Sequence, residues 1–115
     1  MAAPVVFFDI AGPDPAALGA FYRAIFDWDI AADGRFSVAA GPVLSATLRG
    51  DPAEKMIYLG VDDVTATLAQ IVAAGGRIAA PRFEVPGVVV LGMFFDPAGN
   101  RLGLVEMADG QPKRP

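Results

Sequence analysis

The sequence contains no cysteine and no histidine. Without cysteine it has neither a disulfide framework nor thiolate chemistry, so the fold must depend on its core, and a reducing cytoplasm is the expected compartment. Without histidine, Ser45 lacks the base that a Ser-His-Asp triad requires. The two absences exclude catalysis that depends on a thiolate or an imidazole.

Basic clusters and long hydrophobic runs are missing too. The nine Lys and Arg residues are scattered and the net charge is −4, so no patch can neutralise a run of phosphates, and nucleic acid is not an expected partner. The longest uncharged runs, such as 36–48, are too short for a membrane span, and residues 1–4 do not resemble a signal peptide. We expect a soluble, untargeted protein with no membrane partner.

Apolar residues, by contrast, are abundant. They make up 54% of the 115 residues, against 19% charged residues, which is typical of a folded chain rather than a disordered one. A chain of this length forms one compact domain or two half-domains that share a core.

The same order of elements occurs twice along the chain. In the first half, an apolar run at 5–10 predicts a strand, Asp14-Pro15 begins a helix, and helical spacing follows at Leu18, Phe21, Tyr22 and Ile25. Short strand-like pieces come next at 28–31, 35–40 and 43–48, with turns at 32–34 and Gly41-Pro42.

The second half begins after the charged linker 49–55. It has a strand at 56–61, an N-cap at Asp63, a helix that stops at Gly75-Gly76, and strands at 77–83, 88–95 and 101–107. The pattern predicts an α+β fold of two βαβββ modules, 1–50 and 51–107, whose curved mixed sheets form a cup with the helices on the outer face. We expect the polar tail, 108–115, to be flexible.

Side chains of the first strand alternate between two faces. Asp9 shares its face with Phe7, and because an unpaired buried charge is costly, this face is predicted to point away from the helix. The same parity assigns Met56, Tyr58 and Gly60 to the corresponding open face of the second half. An aromatic, sulfur-rich face suits a ligand or a partner better than solvent.

A series of short motifs runs through both halves in order. The first half contains Phe7-Phe8-Asp9-Ile10, Phe21-Tyr22 and Phe26-Asp27-Trp28, and the second half contains 61–64, 74–76, 95–100 and 104–106. This set resembles the vicinal oxygen chelate superfamily, which includes glyoxalase I, bleomycin-resistance proteins and extradiol dioxygenases. The resemblance covers nearly the whole chain and implies the two-module cup.

Metal-using members of that superfamily place four ligands, mostly His and Glu, on the open faces. The resemblance puts those places on Phe7, Met56, Gly103 and Ser45. Phe and Gly offer no donor, and a thioether suits soft copper. We therefore expect no metal and no other cofactor, as in members that bind a drug or metabolite without a metal.

Three hypotheses about function follow. In the first, the protein binds a small aromatic or cationic molecule in the cup, which is lined by Phe7, Asp9, Ser45, Met56, Tyr58 and Gly103. In the second, it is a glyoxalase-like lyase or isomerase in which Asp9 or Glu106 transfers a proton. In the third, the open face only forms a homodimer. A homodimer is expected under the first hypothesis as well.

Each candidate residue also has a structural alternative. Asp9 is either a general base or cation partner, or it is a rim or hydrogen-bonded carboxylate. Phe7 and Met56 form a ligand floor or fill a collapsed cup, and Tyr58 orients a ligand or packs at the edge. Trp28 suits the core better than a ligand stack.

Two further features have competing interpretations. An oxygen-only cation site would use Asp9, Glu84, Asp96 and Glu106, although carboxylates at strand ends and turns are usually solvated. The segment 82–88 is either a loop that closes the mouth of the cup or a simple connection between strands.

Overall fold

The computed structural model describes residues 2–39 and 43–115, which form two helices and eight strands. The first elements are β1 (Val5–Ala11), α1 (Pro15–Phe26), β2 (Arg35–Ala39), β3 (Val43–Arg49) and β4 (Glu54–Val61). They are followed by α2 (Val64–Ala73), β5 (Arg77–Val85), β6 (Val89–Phe95), β7 (Arg101–Ala108) and β8 (Gln111–Pro112). Parallel and antiparallel pairs both occur, so the predicted α+β class is confirmed.

The chain divides into two compact units. The N-terminal unit is Phe7–Ile57, and the C-terminal unit is Tyr58–Pro115 together with the residues up to Val6. This division falls inside β4, a few residues after the predicted module boundary at 50. The predicted turn at Gly41-Pro42 and the side chains of Phe21, Ile25 and Phe26 lie outside the described residues. Within the described residues, neither helix has the length and hydropathy needed to cross a membrane.

In the N-terminal unit the strand order is β2-β3-β1, with β3 antiparallel to β2 and parallel to β1. Helix α1 begins as predicted, because the Asp14 carboxylate accepts a hydrogen bond from the Ala17 amide at 3.1 Å and Pro15 occupies the first turn. It ends at Asp27, which adopts the left-handed conformation with φ 57°.

The core of this unit lies between the sheet and α1. Its buried residues are Ile30, Phe36, Ala46 and Leu48. Phe8 and Ile10 pack against them from β1, which confirms the predicted parity of that strand. Trp28 stacks on Phe36, with ring centroids 5.1 Å apart, and on Tyr22 at the same separation. It is therefore a core anchor, as predicted.

One predicted strand of this unit is wrong. Residues 28–31 form no strand, and the Arg23 guanidinium instead donates two hydrogen bonds to the Ile30 carbonyl, at 3.0 and 2.7 Å. Trp28 is half-buried, Asp29 is exposed and Ile30 is buried. Because half-buried or buried side chains alternate with an exposed one, the sequence has the period of a strand. The segment nevertheless pairs with none of the described strands.

In the C-terminal unit the strand order is β4-β7-β6-β5, and β8 pairs with β7. Helix α2 is capped by the Asp63 carboxylate, which accepts a hydrogen bond from the Ala66 amide at 2.9 Å. Beyond its C-cap, Gly75 has φ +99°, a conformation that favours glycine. The helix buries Val64 and Leu68 against Phe94 and Leu104 of the sheet.

The tail expected to be flexible contains ordered structure. Strand β8 pairs with β7, and the Lys113 amide donates to the Glu106 carbonyl at 2.8 Å. The connection is Asp109-Gly110, whose φ values of 54° and 75° are both positive. This is the conformation that a two-residue hairpin turn requires, and Asp-Gly is a common sequence for it. The dipeptide was therefore a hairpin signal that the prediction missed.

Candidate functional site

The sheet of the N-terminal unit has a polar face opposite its core. Phe7 is in register with Ser45, and Asp9 is in register with Thr47. Because register partners project to the same side of a sheet, these four residues share one face. We call it the polar sheet face, and it consists of Phe7, Asp9, Ser45, Thr47, Arg49 and the β2 residues Arg35 and Ser37. Three predicted site residues are therefore brought together.

Asp9 is buried on this face, with 3% of its surface exposed. Its Oδ2 lies 3.1 Å from Nε of Arg49, which forms an ion pair. The pair joins β1 to the end of β3, two strands that are neighbours in space but about 40 residues apart in sequence. Asp9 is thus neither a solvated rim carboxylate nor an isolated base.

Arg49 is held by two further carboxylates. Its guanidinium donates to Asp51 at 2.9 Å and to Glu54 at 2.6 Å. Burial lowers the pKa of Arg49, but the hydrogen bonds to Asp9, Glu54 and Asp51 outweigh this effect and raise the pKa overall. The side chain is a fixed cation that sequence reasoning missed, because Arg49 was assigned to a linker.

The other predicted residues of this unit differ in exposure. Phe7 is half-buried and its register partner Ser45 is exposed, so an aromatic ring and a hydroxyl group lie side by side. Met56 has only 2% of its surface exposed. Its burial agrees with the alternative in which this thioether fills space.

Tyr58 and Gly103 meet in the C-terminal unit, where they are register partners on β4 and β7. The ring of Tyr58 lies over Gly103 so closely that a Cβ atom at position 103 would overlap it. Tyr58 itself is 7% exposed. The two residues share a face, as predicted, and the ring occupies the space that a ligating side chain at position 103 would need.

The residues at the superfamily's ligand places do not fit a metal ion. They are Phe7, Met56, Gly103 and Ser45, and they offer one thioether and one hydroxyl group. Among the described residues, no group of three or more His, Cys, Asp or Glu is placed to hold a metal. The donor set thus disagrees with the metal chemistry of the superfamily.

The four carboxylates considered for an oxygen-only cation site each have another partner. Asp9 pairs with Arg49, and both Glu84 and Glu106 pair with Arg82. Asp96 accepts a hydrogen bond from the side-chain amide of Asn100 at 2.8 Å, which lowers the pKa of the Asp96 carboxyl. Each of these carboxylates is therefore held by a contact within the protein.

Glu106 lies on β7, and its carboxylate contacts the first residue of α2. Its carboxylate accepts two hydrogen bonds from Arg82, each 2.9 Å long, one from the Val64 amide at 3.1 Å, and one from Lys113 at 3.3 Å. Chiefly through Arg82, these contacts lower the pKa of Glu106 to about 2. A carboxylate this strongly bound is a poor proton carrier at neutral pH.

Segment 82–88 agrees with the second of its two predicted alternatives, a connection between strands. Residues up to Val85 belong to β5, and the Val88 amide donates to the Val85 carbonyl at 2.9 Å. The segment is therefore the end of a strand and a tight turn, and does not form a closing loop.

A groove of about 720 Å³ also lies in the N-terminal unit, between α1, the segment 30–34 and the end of β3. Three arginines line it. Arg23 donates to the Ile30 carbonyl, Arg35 lies 3.8 Å from Asp33, and Arg49 binds its three carboxylates. Sequence reasoning missed the groove because backbone and small residues form much of its wall.

Solved structures define the class of fold. A single-residue variant of methylmalonyl-CoA epimerase from Streptomyces coelicolor, in complex with 2-nitronate-propionyl-CoA, superposes with a TM-score of 0.69 at 18% identity, over 94% of this chain and 99% of that chain. Methylmalonyl-CoA epimerase from Mycobacterium tuberculosis gives 0.60 at 14% identity, over 90% and 87%. At these identities the likeness shows a glyoxalase fold and nothing finer.

The family follows from the sequence comparison. Residues 5–105 match the glyoxalase-like domain. Anthracycline biosynthesis protein DnrV of Streptomyces peucetius is 28% identical over 90% of this chain and 48% of its own length. Anthracycline biosynthesis protein DauV of Streptomyces sp. strain C5 is 26% identical over the same shares of the two chains. The chain spans about half the length of these curated relatives. It belongs to the glyoxalase-like domain family, within the vicinal oxygen chelate superfamily, as its ordered motifs predicted.

Proposed function

We propose that this protein binds a small aromatic or cationic molecule at the polar sheet face, without a metal ion. The observation that carries the proposal is the register of β1 on β3. It places the half-buried ring of Phe7 next to the exposed hydroxyl group of Ser45, with the Asp9–Arg49 pair two residues along. An apolar surface with a few polar groups at fixed positions is the usual composition of a small-molecule site.

Two further observations support a binding role. The donor set at the superfamily's ligand places suits no divalent metal, so the proposed binding does not depend on the superfamily's metal ion. Two of the curated relatives are named for anthracycline biosynthesis, and anthracyclines contain a flat fused ring system with aromatic rings. A ligand of that shape would stack on Phe7 and form hydrogen bonds with Ser45.

The test is a thermal-shift titration with a planar aromatic probe, 1,8-dihydroxyanthraquinone, followed by calorimetry. A ligand that binds only the folded chain raises the melting temperature. We expect Phe7→Leu to weaken binding by about fivefold, since a stacked ring contributes about 1 kcal/mol. Phe83→Leu is the matched control, because Phe83 is an exposed phenylalanine of the C-terminal unit. Equal loss in both variants, or no shift in the native protein, would contradict the proposal.

The lyase or isomerase hypothesis receives less support. It needs Asp9 or Glu106 to exchange a proton, but both carboxylates are buried and bound to arginine. The pKa of Glu106, about 2, makes its carboxylate a weak base that rarely takes up a proton at neutral pH. The expected homodimer and the cytoplasmic location stay predictions.

A further inference from the structure

We infer that Arg49 determines the charge of the ligand: because it occupies Asp9, the polar sheet face selects a neutral aromatic molecule over a cationic one. This inference rests on the proposed function and narrows its ligand class. In a sheet face without such an arginine, a buried carboxylate beside an aromatic ring would favour a cation.

Asp9 is already paired with Arg49. Its Oδ2 is within ion-pair distance of Arg49 Nε, at 3.1 Å, and only 3% of the residue is exposed. A cationic ligand would have to displace the guanidinium to pair with Oδ2, and the other oxygen, Oδ1, is buried. Replacing one paired charge by another gains little, and the displaced cation would need a new partner.

Arg49 is also held by two carboxylates besides that of Asp9. Asp51 and Glu54 accept hydrogen bonds from its Nη1 and Nη2 atoms, at 2.9 and 2.6 Å. Charge-assisted hydrogen bonds of this length are among the strong ones in proteins. Moving the guanidinium away from Asp9 would strain or break these contacts, so the pair persists when a ligand arrives.

The polar sheet face also offers uncharged groups that a ligand can contact. Phe7 contributes a half-buried ring, and Ser45 and Ser37, which are register partners, contribute exposed hydroxyl groups. These groups are neutral, and a hydroxyl group can donate or accept. They match a phenolic or quinone-like aromatic molecule that carries no charge.

The three carboxylates around Arg49 exceed its single charge, so their longer-range field still attracts cations. That field weakens with distance, because Asp51 is about half exposed and salt largely screens exposed charges that are more than about 10 Å apart. It can change the rate at which a cation approaches, but it supplies no contact partner on the face.

The experiment compares two probes of similar size, neutral 2-naphthol and the cation 2-naphthyltrimethylammonium, by calorimetry. For the native protein we expect binding of 2-naphthol to be at least about tenfold tighter. Arg49→Met removes the guanidinium from Asp9, so the preference is expected to shrink by at least about tenfold. Arg49→Lys keeps a cation beside Asp9 and should keep the preference, and Arg77→Met, which removes an exposed arginine of the C-terminal unit outside the polar sheet face, is the control.

The possible results distinguish failure of the inference from failure of the proposed function. If the native protein binds the cation as tightly as 2-naphthol, the inference is wrong while the proposed function stands. If Arg77→Met reduces the preference as much as Arg49→Met, the inference is also wrong. If neither probe binds, the proposed function fails and the inference fails with it. If Arg49→Met does not fold, the affinities of the two probes for the native protein and for Arg49→Lys still test the inference.

Discussion

At the scale of single residues, the contact between Tyr58 and Gly103 offers a clean test of the C-terminal unit. A Cβ atom at position 103 would overlap the Tyr58 ring. We predict that Gly103→Ala lowers the free energy of unfolding by about 2 kcal/mol, the usual cost of an overpacked site. The measurement is urea denaturation followed by circular dichroism.

The control is the same substitution in a Tyr58→Ala background. Without the ring, Gly103→Ala should cost less than about 0.5 kcal/mol, because the two residues are coupled by direct contact. Equal costs in both backgrounds would show that the ring does not lie over Gly103. The parity of Tyr58 could be predicted from alternation along β4, but its cross-strand partner depends on register, which the sequence does not specify.

For Asp9, too, the face could be predicted from the sequence but the partner could not. Alternation along β1 predicted which face it occupies, and Phe8 and Ile10 confirm that parity from the core side. Its partner Arg49 could not be predicted, since the two residues are distant in sequence and meet only because β1 pairs with β3. The candidate site was thus predicted as a set of positions, whereas its electrostatics came from the structure.

At the scale of elements, the helix starts were the most predictable features. Asp63 was assigned as an N-cap and accepts a hydrogen bond from Ala66 at 2.9 Å. We predict that Asp63→Ala lowers the free energy of unfolding by about 1 kcal/mol, the typical value of such a cap. Asp62→Ala removes the neighbouring exposed carboxylate and should cost less than about 0.5 kcal/mol. Chemical denaturation of both variants tests this, and equal costs would argue against the cap.

Glu106 connects three elements, since it binds α2, β5 and the segment after β8. Removing one partner of a buried ion pair is strongly destabilising, so Glu106→Gln is predicted to cost about 3 kcal/mol. Glu84→Gln is the matched control: Glu84 lies 3.5 Å from the same Arg82 but is mostly exposed, and its loss should cost under about 1 kcal/mol. If the control were as damaging as Glu106→Gln, burial would not explain the effect.

The same carboxylate predicts a pH dependence. The pKa of Glu106 is lowered from 4.5 to about 2, so its stabilising contribution is present above pH 4.5 and is lost as the pH falls towards 2. The difference in unfolding free energy between the native protein and Glu106→Gln should therefore narrow between pH 6 and pH 3. A difference that stays constant over that range would show that Glu106 is not the group responsible.

Two elements were mispredicted for physical reasons. The segment 28–31 alternates between buried and exposed side chains, and sequence patterns cannot tell such a segment from a strand that lacks a pairing partner. Strand β8 was missed because its residues are polar and include Pro112, although Asp109-Gly110 favours a hairpin turn. In both cases the backbone hydrogen bonds, which the side-chain pattern does not encode, decide the structure.

At the scale of the whole molecule, the family could be predicted from ordered motifs, whereas the number of chains in the assembly could not. We propose a homodimer, because such modules pair within or between chains and leaving sheet surface exposed is costly. Sedimentation velocity at about 50 μM should give twice the 11.9 kDa mass of one chain. A single species of one-chain mass would overturn this proposal without affecting the binding proposal.

The central claim, that the polar sheet face is the binding site, is tested most directly by mapping amide chemical shifts during a titration with 1,8-dihydroxyanthraquinone. We predict that the largest changes occur at Phe7, Ser37 and Ser45, which share that face and do not line the groove beside α1. Changes confined to Ala32 and Asp33 would instead place the ligand in the groove beside α1. That result, or a spectrum that does not change at all, would contradict the account.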